Sequence, residues 1–168
     1  MPRFYVEPSQ ISDNEIRISG SDVNHIRNVL RMKQGDKIII CNGHGKDYYC
    51  IMNRVSEHEI LAGIESVQET GTELSTRITL YQGLPKQEKM EWIIQKAVEL
   101  GVAEIVPVMT RRVIVKLDDK KKEGKKLERW QAIAENASKQ SGRGMIPKVR
   151  PVMSFQEAVR EAGKLELN

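Results

Sequence analysis

Cysteine is scarce: Cys41 and Cys50 are the only two in 168 residues. They flank a turn and can face each other across a hairpin, but without an export signal the expected state is two reduced thiols. Histidine is as sparse, and His25, His44 and His58 fall at no spacing that would join the cysteines as zinc ligands. No apolar run approaches the roughly 20 residues needed to cross a bilayer, and the opening MPRFYVEPSQ has no signal-peptide pattern. A cytoplasmic protein without a membrane partner is therefore expected. Glycine-rich phosphate motifs are missing too. Gly43-His44-Gly45-Lys46 lacks the spacing and trailing hydroxyl of a P-loop, and GLPKQEK, after the strand at Ile78, has one glycine where a dinucleotide fingerprint needs several. There is no nucleophile elbow, no paired-carboxylate constellation and no internal repeat.

What the chain does have is positive charge. Lys and Arg number 27 against 23 Asp and Glu, a net charge of +4, and hydrophobic residues reach 39%, enough for a packed core. A basic balance favours a polyanionic partner, and nucleic acid is the expected one because no basic amphipathic membrane helix is present. The charge is uneven. Lysine crowds Lys116–Trp130, and the segment Asp118–Lys126 reads as an exposed loop entering a helix.

Two patterns divide the chain. Up to about residue 71, short strands alternate with polar turns: Lys37–Cys41, Tyr48–Met52 and Glu59–Ile64, joined through Asn42-Gly43-His44-Gly45. Before them, Ser21-Asp22 is placed to cap a short helix with Val23, Ile26 and Leu30 on its buried face. This grammar suggests a small β-barrel over 1–71. Gln68–Thr72 is a polar linker. Over 72–168 strand and helix alternate: Ile78–Tyr81, a helix Lys86–Leu100, Glu104–Met109, a helix Lys125–Ser141, Lys148–Val152, and a helix Phe155–Ala162 with Ser154 and Glu157 spaced as a capping box. Alternation of this kind predicts a mostly parallel sheet, so the fold class is α/β in the second part and α+β overall.

The first α/β helix is the most informative stretch. Met90, Ile93, Ile94, Ala97 and Val98 share one face; Lys89, Trp92 and Lys96 line its edge; Glu88, Glu91 and Glu99 are expected on the far side, and Gly101 stops the helix. Further candidates for nucleic-acid contact follow from guanidinium chemistry, since Arg forks suit phosphates and stack on bases. Arg27 and Arg31, four apart beside His25, are expected to project from one side of the first helix. Arg129, Asn136 and Gln140 form a polar stripe on a helix whose buried face is Leu127, Trp130, Ala134 and Ala137, and Arg143 follows it. The competing reading of each basic edge is a solvated helix flank.

Four segments together resemble the bacterial small-subunit rRNA uridine-N3 methyltransferases of the SPOUT superfamily: HIRNVLRMKQGDKI (His25–Ile38), LPKQEKMEWIIQKAVELGV (Leu84–Val102), RRVIVK (Arg111–Lys116) and RWQAIAENASKQSGRGMIPKV (Arg129–Val149). The resemblance implies a PUA-like RNA-binding barrel at 1–71 and the N-terminal part of a trefoil-knotted SPOUT α/β domain at 72–168, incomplete in this chain. It implies homodimers that transfer methyl from S-adenosylmethionine to N3 of one uridine in 16S rRNA of the small ribosomal subunit. Family members carry a GPEGG-like and a later LG-x-R-I-L-R-like segment that hold the methyl donor. Neither occurs here, so the donor-binding residues are expected beyond Asn168, and the unfinished sheet is expected to be poorly stable. RNA contacts are expected from Arg3, His25, Arg27 and Arg31 in the barrel, and from Lys86, Lys89, Arg111, Arg112, Arg129, Gln140 and Arg143 in the α/β part. No catalytic residue is assigned. A non-catalytic, ribosome-associated RNA-binding module is the competing reading.

Overall fold

The first unit is built on a five-stranded sheet curled into a half-barrel. In the computed structural model, which describes residues 1–86, 89–111 and 120–165, its strands are β1 (Arg3–Tyr5), β2 (Glu15–Ser19), β3 (Lys37–Cys41), β4 (Lys46–Val55) and β5 (Glu59–Glu69). They lie in the order β1-β3-β4-β5-β2. Only β1 against β3 is parallel among these pairs. Period-two alternation points Ile16, Ile18, Ile38, Ile40, Cys50, Met52, Ile60 and Ala62 into one core with Val23 and Ile26. Register shifts at Tyr49/Cys50 and Met52/Arg54 mark irregularities in the long β4–β5 ribbon that bend a sheet on itself.

This compact unit comprises Met1–Glu73 together with Gly142–Met145. The sequence pattern groups Gly142–Met145 with 72–168, whereas the fold gathers them with the barrel. Cys41 and Cys50 do not face each other: Cys41 pairs with Asp47 and Cys50 with Ile38. Both are free and buried. The first helix differs from its prediction. Gly20, at φ 78°, occupies the N-cap with no side-chain cap, α1 spans only Ser21–Asn24, and the chain continues as a π turn over His25–Val29. The wider turn shifts the phase, so Val23 and Ile26 are buried at 2% and 0% exposure while Leu30 is turned out at 41%.

The second unit comprises Leu74–Ser141 and Ile146–Asn168. Strands β6 (Thr79–Gly83), β7 (Glu104–Met109), β8 (Lys148–Val149) and β9 (Met153–Ser154) form a parallel sheet with β7 at its centre. Helices α2 (Lys89–Glu99) and α3 (Lys120–Ser141) pack with Ile105 on one face, and α4 (Phe155–Ala162) packs with Val106 and Val108 on the other. Alternate residues of β7 thus serve opposite layers. Pro107 sits in this central strand because of a gap: β8 pairs Glu104 and Ile105, β9 resumes at Val108, and the missing N–H falls between them.

Met90, Ile94 and Val98 are buried as the periodicity predicts, and Gly101 takes φ 97° just past the helix end. The Ser154–Glu157 capping box is present in full. Glu99 departs from the expected arrangement. It is not opposite Lys96 but bound to it, three residues on, at 2.7 Å. The lysine-rich segment read as a loop is helical from Lys120. Glu88 and Arg112 lie outside the described residues.

Candidate nucleic-acid interface

Each expected contact residue can be placed by what its side chain already touches. Arg3 is inward-facing. Its guanidinium donates to Asp47 at 2.6 Å and to the Gly142 carbonyl at 2.5 Å. Arg143 is 5% exposed and donates to Glu73 at 2.5 Å. That carboxylate also accepts the Gly144 and Met145 N–H groups at 2.8 and 3.1 Å. The Tyr5 hydroxyl donates to the Arg143 carbonyl, and Gly45 N–H donates to Gly144 O at 3.0 Å. Two of the expected RNA contacts are therefore brought together as internal ties that hold Gly142–Met145 against the barrel. Burial alone would raise the Glu73 carboxyl, but the hydrogen bonds from Arg143, Met145 and Gly144 outweigh it and lower the pKa.

Arg27, Arg31 and Lys33 lie at and just past the π turn, while other exposed cations of this unit, Arg17, Lys37, Lys46 and Arg54, stand on its strands. His25 packs edge-on against Phe4, with ring centroids 5.7 Å apart. Arg27 makes an exposed ion pair with Glu57 at 3.2 Å. Arg31 is not on the helix beside Arg27. It lies past the π turn in the left-handed region at φ 54°, so the four-residue spacing does not set its direction. Arg31 and Lys33 are both exposed.

In the second unit Lys86 and Lys89 are exposed around the start of α2, and Trp92, on the same helix, is 64% exposed. Arg129 reaches from α3 to Glu91 of α2 with a contact of 2.8 Å, and Gln140 is exposed near the end of α3. Arg111 follows the C-terminal end of β7, where it lines an open cleft with Met109, Thr110, Ser154, Phe155 and Gln156. A smaller adjoining cleft of about 180 Å³ is walled by Tyr81, Gly83, Val108, Thr110, Phe155 and Val159 among others. The carboxyl ends of parallel strands are where open α/β sheets bind ligands. Phe155 and Val159 there, 59% and 55% exposed, escape sequence reasoning because α4's apolar positions look like ordinary core. The Tyr81 hydroxyl is already engaged, donating to Glu161 at 3.0 Å, and Glu161 also accepts from Arg150. Among the described residues no group of metal-ligating side chains forms, and no helix is long and apolar enough to cross a membrane.

A curled sheet of this order and a parallel α/β sheet are the two architectures of an RNA-modifying enzyme family, and two family models match the chain accordingly. The model for an RNA methyltransferase PUA domain covers residues 18–65, and that for an RNA methyltransferase domain covers 72–168. The chain belongs to the RNA methyltransferase family. It is 39% identical over 163 residues to the ribosomal RNA small subunit methyltransferase E of Bacillus subtilis, covering 95% of this chain and 63% of that protein. It is 31% identical to the Synechocystis protein of the same name, covering 95% of this chain and 50% of that one. A crystal structure of ribosomal RNA small subunit methyltransferase E from Neisseria gonorrhoeae, bound to S-adenosyl methionine, superposes with a TM-score of 0.77 at 35% identity, over 99% of this chain and 66% of that one. The chain thus spans about half to two thirds of the length of these relatives.

Proposed function

We propose that this chain supplies the RNA-binding barrel and the N-terminal part of the catalytic domain of an S-adenosylmethionine-dependent enzyme that methylates N3 of a uridine in 16S rRNA. The substrate is the small-subunit rRNA in its assembled subunit, and the enzyme works as a cytoplasmic homodimer. The observation that carries this reading is the RNA methyltransferase match along the whole of 72–168, directly after a PUA match. Supporting it, exposed cations stand on both units: Arg31 and Lys33 on the first, with Arg27 half-exposed beside them in sequence, and Lys86, Lys89 and Arg111 on the second.

When bound, the methyl donor supplies an electrophilic carbon on a sulfonium. The protein must hold a uracil near it and favour loss of the N3 proton, which a local positive field does. Arg111, at the mouth of the strand-end cleft, is the cation we assign to that field. The described residues do not fit the donor by themselves, because the strand-end cleft offers mainly apolar walls and an already engaged tyrosine hydroxyl. We therefore place the donor site in the part of the relatives' length that this chain does not match.

The reading is tested in two parts. Small-subunit rRNA should bind this chain with an affinity that falls steeply with salt, and Lys89→Gln with Arg111→Gln should flatten that slope. Absence of rRNA binding overturns the proposal. Calorimetric titration of S-adenosylmethionine should give no heat; micromolar binding, about −8 kcal/mol, would place the donor site within these residues instead. Extended by the final third of the Bacillus relative, the chain should form 3-methyluridine in small subunits. RNA binding without any methylation would leave the non-catalytic module as the surviving reading.

A further inference from the structure

Val29 and Leu30 are consecutive large apolar residues that both stand in water, 63% and 41% exposed. The backbone that presents them is firmly held. Leu30 N–H closes the π turn on His25 O at 2.9 Å, and Met32 N–H follows onto Ile26 O at 3.1 Å. Ile26 is fully buried in the barrel core, while the neighbouring His25 ring braces on Phe4. Asn28 donates to the Asn24 side chain at 2.6 Å, and Lys33 N–H donates to the Asp36 carboxylate at 2.7 Å. Arg31, at φ 54°, adopts a left-handed conformation that is unfavourable for a side-chain-bearing residue. Strained residues and π turns persist where surrounding structure over-determines them, and they concentrate at functional positions.

Charge decides what such a tip meets. Arg27, Arg31 and Lys33 bracket the two apolar residues in sequence. The Arg27–Glu57 ion pair is exposed, so it contributes little and a phosphate can displace it. An apolar pair on a held backbone, flanked along the chain by cations, fits a partner that presents flat, weakly hydrated faces between negative charges. Unpaired RNA has that chemistry, whereas a duplex hides its base faces.

We propose that Val29 and Leu30 form a preorganised apolar tip that packs on the face of an unpaired rRNA base, with Arg31 and Lys33 on the flanking phosphates. The inference rests on the rRNA-binding reading above and assigns that interface an apolar anchor. Its contribution does not depend on salt, whereas that of the cations does.

The test uses the whole chain and a hairpin RNA with 2-aminopurine in its loop. Val29→Ser with Leu30→Ser should weaken loop binding about tenfold, equivalent to about 1.4 kcal/mol, with the salt slope unchanged. It should also abolish the fluorescence change of the loop base. Arg31→Gln with Lys33→Gln should flatten the salt slope instead. Both apolar positions are exposed, so circular dichroism should be unaltered, and Val29→Ala with Leu30→Ala should behave as the serine pair does. If the parent binds the hairpin and the serine variant binds it equally well, the tip assignment fails while the rRNA reading stands. If the variant loses affinity only for intact small subunits, the tip meets ribosomal protein and the proposal is overturned. If the parent binds neither hairpin nor rRNA, both readings fall.

Discussion

Removing the Glu73 carboxylate should cost this fold more than any other single charge deletion we consider. The side chain is 19% exposed and receives three donors: Arg143 at 2.5 Å, Gly144 N–H at 2.8 Å and Met145 N–H at 3.1 Å. Breaking a buried ion pair by deleting one partner costs about 3–5 kcal/mol, because the other charge stays desolvated. Partial exposure of Glu73 moves the expectation to the lower end, about 3 kcal/mol for Glu73→Ala. Domains of this size are stable by about 5–15 kcal/mol, so the loss is a large share. It should lower Tm by about 6–12 °C. Glu73→Gln keeps an oxygen for the two N–H groups and should lose about half as much.

The pH dependence supplies the sharper check. The folded pKa of Glu73 is lowered, so its stabilisation is present above the ordinary carboxyl range, about 4.3, and disappears as pH falls through the folded value. Urea denaturation of the parent and Glu73→Gln should therefore differ at pH 7 and converge toward pH 3. A loss below about 0.5 kcal/mol at pH 7, or a difference that does not shrink in acid, would refute the reasoning.

Three further outcomes are expected. Burial and then Glu65 push the Cys50 thiol up to about 11, and burial also raises Cys41 against the opposing Gly43 N–H and Arg3. Iodoacetamide at pH 8 should accordingly label neither thiol before unfolding and both after it, and rapid native labelling seen by mass spectrometry would contradict the buried placement. Trp130, 7% exposed in the core shared by α2 and α3, should cost about 4 kcal/mol on replacement by Ala, with a loss under about 1.5 kcal/mol counting against that packing. Ser154→Ala removes the cap that accepts Glu157 N–H at 3.2 Å and should cost about 1 kcal/mol, read as faster amide exchange confined to α4. Exchange that rises equally throughout the second unit would show that the cap does more than close its own helix.

Local, periodic features were legible in the sequence, and features made by distant residues were not. The stripe Met90, Ile94, Val98 and the capping box at Ser154 each depend on neighbours within one or two turns, so spacing alone reveals them. β1 is three residues long and pairs with β3 across more than thirty positions, as Arg3 with Ile39. Nothing in Arg3-Phe4-Tyr5 announces that partner. Leu30 was misplaced for a different reason. The α period is a sound rule until a π turn adds a residue to the winding, and the sequence HIRNV carries no punctuation that marks one.

Charge was the least readable property, and that bears directly on the RNA interface. Arg3, Arg143 and Arg31 are identical letters in basic contexts, yet the first two are turned inward onto Asp47 and Glu73 and the third stands in solvent. What separates them is whether a carboxylate some forty or seventy positions away folds back onto the guanidinium, which no local pattern encodes. The distinction predicts how substitutions should behave. Arg31 and Lys33 should change RNA affinity and its salt slope while leaving stability alone. Arg3→Gln and Arg143→Gln should do the reverse, lowering Tm with an unchanged salt slope in whatever fraction stays folded. An Arg143→Gln protein of parental Tm with a flattened salt slope would return that residue to the RNA and undo the structural role its burial assigns.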